Sequence, residues 1–430
     1  FLRLYDFTAD AVKAAFPAAR VGGPSVTNPT LGRPSAEYLD RFLAHCAGLG
    51  DDGENACTGG RGAPLDFVTF HLKGGGYAPD PLHRPERPPT VRRVLEGAAV
   101  GYDMIRKHGF QGLECVVSEC DPDGWAAGGA YDNAALNFRN SEYYPSWVAA
   151  AFHHLTAFAR AREWDLRYLS WAFMFVGERC FEGTRAFSTQ GIDKPILNLL
   201  RMYARLGSTR VALESTAAGD LLDRANDLPE VDGVASLRGD GALQVLLFHH
   251  HDDWNRAGEA EVTLDVAHVP TEARAVTVRH WRIDGEHSNA YTEWVRQGRP
   301  DYPAGGQRQA LPVGGVDACL PVLLQQRREA RHQQQADHDT DATYRGGRSH
   351  FPLAQVPRHH GPVHAKPCHH ANRSRLAQGM RRQVWSLPAR DGVRLAIVRC
   401  ASRARRTHPG AHSGWRRPCI STGTAARRRA

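Results

Sequence analysis

Apolar positions at the start of the chain recur with helical spacing. Tyr5, Ala9, Val12 and Phe16 fall at i, i+4, i+7 and i+11, which predicts an amphipathic helix ended by Pro17. "ARVGGP" predicts a short strand and turn, and "SAEYLDRFLAHCAG" a helix opened by a Ser cap. "LDFVTFHLKGGG" is an apolar strand running into glycines, and "PPTVRRVLEGAAVGYDMIRKHG" is a helix with a Gly stop. "LECVVSEC" is a strand, followed by a long helix marked by Val148, Phe152, Leu155 and Ala159. "LRYLSWAFMFV" is a strand, and "KPILNLLRMYARLG" is a helix opened by Pro195 and closed by Gly207.

The order is therefore a helix followed by four strand–helix units. The strands are continuous apolar runs, as expected of a parallel sheet covered by helices. Such a series fits the second half of a (β/α)8 barrel over residues 1–218. A small open doubly wound sheet is the alternative, but no GxGxxG or Walker loop accompanies it. After residue 220 the period changes to two in "GALQVLLFHH", "AEVTLDVAHV" and "ARAVTVRHWRID", which predicts a small β-sandwich over residues 219–305. The fold class expected is thus α/β, half of a TIM barrel with a β-sandwich behind it.

Residues 306–430 follow neither period and are expected to be a disordered basic tail. Charge separates this tail from the rest. Residues 321–430 hold 21 Arg and one Lys against five acids, and ten of the 22 histidines. The remaining 320 residues carry 32 bases and 41 acids. The tail can be read as a nucleic-acid-binding arm, a His-rich metal tract, or out-of-frame translation of a GC-rich gene. The last is preferred, because lysine is nearly absent and no aromatics interleave with the arginines as a binding groove requires.

Nine cysteines without CxxC spacing argue against a zinc ribbon or disulfide scaffold and suggest reduced thiols in a cytoplasmic protein. No charged-then-apolar leader precedes the first helix, and no run of about 18 apolar residues occurs, so no membrane partner is expected.

In a barrel of this kind, chemistry sits where strands end. Glu119 and Cys120 end "CVVSEC", His71 and Lys73 end "DFVTFHLKG", and Glu178, Arg179, Glu182 and Arg185 follow "SWAFMF". Trp125, Tyr77 and Trp171 lie close by in sequence, and sugar rings stack on aromatic faces. Each has a plainer reading. Glu119 fits a solvated loop acid as well as a catalyst. His71 fits a core histidine bonded to a carbonyl, and Glu182 with Arg185, three apart, fits an ion pair. Cys120 has no base to activate it. "HHHDD" at residues 249–253 has metal-ligand residue types but no matching cluster, so it is read as a hairpin loop, with no metal and no cofactor expected.

Four segments change this balance. "FLRLYDFTADAVKAAFPAARVGGP", "DFVTFHLKGG", "VVSECDPDGW" and "GIDKPILNLLRMYARLG", in that order over roughly residues 1–215, together resemble glycoside hydrolase family 39, the β-xylosidase and α-L-iduronidase family. The second domain resembles that family's β-sandwich, including the polar loop after "VLLFHHHDDW". The resemblance implies a retaining glycosidase, β-xylosidase-like, that acts on a small oligosaccharide or glycoside. Its acid/base Glu follows strand four and its nucleophilic Glu follows strand seven. Counted back from the last barrel strand, "CVVSEC" is strand seven, so Glu119 falls on the nucleophile position. His71 falls where the family keeps a sugar-contacting histidine, with Lys73, Trp125, Glu182 and Arg185 as further substrate-binding candidates. The Asn-Glu-Pro motif that should carry the acid/base occurs nowhere in the 430 residues. The chain is therefore expected to be an N-terminally truncated fragment, inactive by itself. A non-catalytic carbohydrate-binding protein and a nucleic-acid-associated protein acting through the tail are the rival functions.

Overall fold

The structure is a computed structural model that describes residues 1–30, 32–76, 89–222, 229–253, 258–266 and 275–304, with three later strands. Helix α1 (Leu2–Ala15) buries Tyr5, Asp6 and Ala9. The expected stripe ends there, because Phe16 lies past the last turn and is exposed. Asp6 sits within the apolar face because His45 Nε2 of α2 (Arg33–Cys46) lies 2.5 Å from its Oδ1 and Ala56 N donates to its Oδ2 at 2.8 Å. Helix α2 begins at Arg33 after Gly32, two residues before the expected Ser35 cap. Pro34 explains this, since its fixed φ suits a first helical turn.

Strands β1 (Gly22–Val26), β2 (Phe67–Gly75), β3 (Glu114–Asp123) and β4 (Leu166–Tyr168) form one parallel sheet in the order β1-β2-β3-β4. The expected mixed α/β fold with a parallel sheet is therefore present. Helix α3 (Val91–Lys107), capped by the Thr90 side chain, and helix α4 (Tyr143–Arg160) pack with it. The glycines of α3 set the approach. A Cβ on Gly101 would stand 2.5 Å from the Phe70 ring, and one on Gly97 would stand 2.7 Å from Leu72 Cδ2. Val68, Phe70 and Leu72 thus face the helices and are fully buried, while Thr69, His71 and Lys73 project to the opposite face.

The expected strand over residues 166–176 pairs with β3 through Tyr168, and Leu169 N still donates to Val117 O while Leu169 O accepts from Cys120 N. Beyond it Trp171, Phe173 and Phe175 pack on one another in series, at ring separations of 5.0 and 5.3 Å, and Phe173 N bonds to Arg185 O. A short hairpin, β5 (Ser188–Thr189) and β6 (Ile192–Asp193), leads to helix α5 (Pro195–Tyr203), which stops short of Gly207.

Strands β7 (Thr209–Val211), β8 (Glu214–Ser215), β9 (Glu230–Leu237), β10 (Leu243–His250), β11 (Ala260–Val266) and β12 (Ala275–His280) follow, with β7, β9 and β10 in one antiparallel sheet. Helix α4 carries the docking contacts. His154 Nε2 lies 2.9 Å from Glu230 Oε2, and His153 Nε2 lies 3.3 Å from Asp232 Oδ2. Helix α6 (Ala290–Arg296) turns back onto the loop after β4, where Trp294 and Tyr291 pack on Phe181. Of the expected tail, the described residues are β13 (Ala318–Leu323), β14 (Ala342–Thr343) and β15 (Ile397–Ser402), which pair with β12 and β11. The expectation of disorder covered all of residues 306–430, these strands included; the rest of that range lies outside the described residues, as does Tyr77.

Candidate active site

The ladder between β2 and β3 contains one irregularity. Phe70 pairs with Val117, but the next residue, His71, pairs with Glu119, so Ser118 is an extra residue bulged out of register. Its effect is on side-chain direction. Cys115, Val117 and Cys120 align with Val68, Phe70 and Leu72 on the helix-facing side. Glu119 and Asp121 align with His71 and Lys73 on the other. In an unbroken ladder the partner of His71 would be Ser118, and Glu119 would lie among the core residues.

Around Glu119 the charges interlock. Lys73 Nζ donates to Glu119 Oε2 and to Asp121 Oδ2, both at 2.5 Å. His71 Nδ1 lies 3.6 Å from the same Glu119 oxygen. Asp121 is fully buried and also accepts from Arg185 Nη2 at 2.7 Å, Ser170 Oγ at 2.8 Å and Trp171 N at 3.0 Å. One further alternation along β3, Asp123 takes a fork from Arg139, Nε at 3.0 Å and Nη2 at 2.6 Å. Burial alone would raise the Asp123 carboxyl, but Arg139 and Arg185 override it and hold it at about 2. Burial pushes His71 below its ordinary value against the pull of Glu119, so its ring is neutral near pH 7. Glu119 keeps 21% of its side chain exposed, whereas Lys73 keeps 5% and Arg185 none. The carboxylate is held from below and open from above, as an attacking group requires.

Of the candidates from sequence, Glu119, His71 and Lys73 meet directly, and Arg185 joins them through Asp121. Trp125 lies on the turn after β3, where a Cβ on Gly128 would stand 2.4 Å from its ring. Glu182 does not pair with Arg185. It forms an ion pair with Arg179 Nη2 at 2.9 Å, because Arg185 is drawn inward by Asp121 and Asp123, and with Tyr131, Glu178 and Thr184 it lines a separate cleft of about 320 Å³. Cys120 points into the core, where burial drives its thiol far above the ordinary range, so it offers no nucleophile. In "HHHDD", His250 and Asp252 pair at 3.2 Å, and Asp252 caps α3 through Val91 N at 2.6 Å. No three His, Cys, Asp or Glu side chains among the described residues are grouped to hold a metal ion. Sequence reasoning missed Asp121, Asp123, Arg139 and Ser170. The alternation Glu119, Asp121, Asp123 was visible, but which face it occupied depended on the bulge.

The family model of Glycosyl hydrolases family 39 matches residues 1–313. The chain belongs to this family. The family 39 chain is 26% identical to human α-L-iduronidase over 348 residues, 75% of this chain and 50% of that protein. It is 23% identical to a β-xylosidase of Geobacillus stearothermophilus over 345 residues, 76% of this chain and 56% of that protein. In fold it is similar to a crystal structure of the bacterial orthologue of human α-L-iduronidase, with a TM-score of 0.53, 18% identity, and coverage of 74% of this chain and 54% of that one. It thus spans about half the length of the curated relatives it matches. The family read from the four segments is the family that the wider match shows.

Proposed function

We propose that the family 39 chain carries the nucleophile side of a retaining, β-xylosidase-like glycoside hydrolase. Glu119 attacks the anomeric carbon, forming a bond from C1 to a carboxylate oxygen as the bond from C1 to the leaving oxygen breaks. Water then cleaves the glycosyl ester. The observation that carries this reading is Glu119 itself, a partly exposed carboxylate on the parallel strand β3, just past its bulge, gripped by Lys73 and beside neutral His71. His71 supplies a ring nitrogen to a sugar hydroxyl without adding charge.

The leaving oxygen needs a proton from a second carboxyl, which in retaining enzymes stands about 5–5.5 Å from the nucleophile. Asp121 and Asp123 are each committed to buried cations and do not supply it. In this reading that donor stands on a barrel strand other than these four, and β1 and β4 are the edge strands of the described sheet. Leu169, Trp171 and Phe175, just past β4, are exposed apolar side chains that a further strand would cover. The strands β9 to β12 lie in the stretch read as the sandwich, residues 219–305.

A leaving group that departs without protonation tests the nucleophile alone. Incubation with 2,4-dinitrophenyl 2-deoxy-2-fluoro-β-xyloside is expected to add one fluoroxylosyl group to the peptide containing Glu119, and none to Glu119→Gln, as read by mass spectrometry. A protein that binds xylosides but is never labelled is a carbohydrate-binding protein, and the proposal fails.

A further inference from the structure

Asp121 carries more bonds than any other carboxylate near Glu119, yet it touches neither Glu119 nor the open space above it. Its Oδ1 is held by Ser170 and Trp171, which come from the chain just past β4. Its Oδ2 takes Lys73 at 2.5 Å and Arg185 at 2.7 Å. Lys73 is therefore divided between two carboxylates on the same face of β3, 2.5 Å from each. A cation shared between two anions pulls less strongly on either, and carboxylate nucleophilicity falls as a cation holds the lone pairs more tightly.

We propose that Asp121 is a positioning residue for Glu119, acting through Lys73. By taking half of the ammonium's hydrogen bonding, Asp121 leaves the Glu119 carboxylate aimed by Lys73 but not fully neutralised by it. Arg185, fully buried, anchors Asp121 so that the shared ammonium cannot slide wholly to Glu119. The groups facing Glu119 are His71 and Lys73 from β2 and, across Lys73, Asp121 from β3 with Arg185 from the loop after β4. Asp123 and Arg139 pair with each other farther along β3. With His71 neutral, the three carboxylates of this row balance three cations. The role rests on Glu119 being the nucleophile.

The test is the pH dependence of fluoroxyloside labelling. Asp121→Asn keeps the shape and the Oδ1 acceptor but gives Lys73 to Glu119 alone. The acid limb of the labelling rate is expected to move down by about one pH unit, and the plateau rate to fall ~10-fold. Lys73→Met should move the same limb the other way, up by about one pH unit. If Asp121→Asn cannot fold, the double variant Lys73→Met/Asp121→Asn, which loses one charge of each sign, keeps the test open, and its acid limb must lie below that of Lys73→Met. Folded variants whose acid limb stays at the wild-type position, whatever their plateau or melting temperature, make Asp121 merely structural and overturn the inference. A wild-type protein that is never labelled removes the glycosidase reading itself, which separates the two failures.

Discussion

His71 and Glu119 face each other across the β2–β3 ladder because Ser118 stands outside it. The bulge converts a strand that would bury its acid into one that presents it, and it leaves the Ser118 hydroxyl buried without a partner. Deleting Ser118 is therefore expected to carry Glu119 to the helix-facing side, destabilise the fold by about 3 kcal/mol or more, and abolish labelling. Ser118→Ala keeps the bulge and removes the unpaired hydroxyl, so it should stabilise by about 1 kcal/mol. Urea midpoints check both, and a deletion variant of unchanged stability would refute the register argument.

Acid sensitivity should follow Asp123. Its ordinary value of 3.8 applies to the unfolded chain and about 2 to the folded one. The folded value is depressed, so the stabilisation is complete above about pH 4 and is lost as the pH falls through about 2. It amounts to about 2 kcal/mol. Asp123→Asn is expected to flatten the fall in denaturation midpoint across that window. Arg139→Met, which strips the fork from a buried anion, should cost about 3–5 kcal/mol at neutral pH.

The seam between α4 and the antiparallel strands depends on His154 and Glu230. The Glu230 side chain is 1% exposed and has the imidazole at 2.9 Å and Gly219 N at 3.2 Å. His154→Ala leaves a buried carboxylate short of its main partner, and a loss of about 2–4 kcal/mol is expected. Glu230→Gln together with His154→Ala should recover much of it. A double-mutant cycle by chemical denaturation measures the coupling, and a value near zero would contradict a direct pair.

Trp294 supports the loop that brings Arg185 to Asp121. Its ring packs on Phe181, a buried residue held at positive φ, and its Nε1 donates to Pro300 O at 2.9 Å. Trp294→Ala should destabilise by about 3–5 kcal/mol and open residues 177–192 to proteolysis. Limited digestion followed by mass spectrometry would locate the first cut. A first cut elsewhere would show that α6 does not hold this loop.

Much of the first part of the chain was legible. The strands β1 to β3 and helices α1 to α5 follow from apolar runs and helical spacing, because burial between sheet and helix demands those patterns whatever lies beyond. Strand β9 was not legible, since Asp232 and Gly233 interrupt its alternation, and Asp232 is tolerated only because His153 waits across the seam. Helix α6 is a seven-residue stretch whose stability comes from Phe181 rather than from its own length. The last strand was overread, because the apolar run "LSWAFMFV" matches a strand, but its side chains pack on one another past Tyr168.

The order of elements, the family and the candidacy of Glu119 belong to the sequence, because period, strand-end position and motif order are local properties that survive without coordinates. The partners of Glu119 belong to the tertiary structure. Whether it met Leu72 or His71 turned on one bulged residue, and whether Arg185 paired with Glu182 or Asp121 turned on the loop after β4 folding back over β3. Charges choose their partners by distance and burial, and those are set only when strands that are far apart in sequence lie side by side.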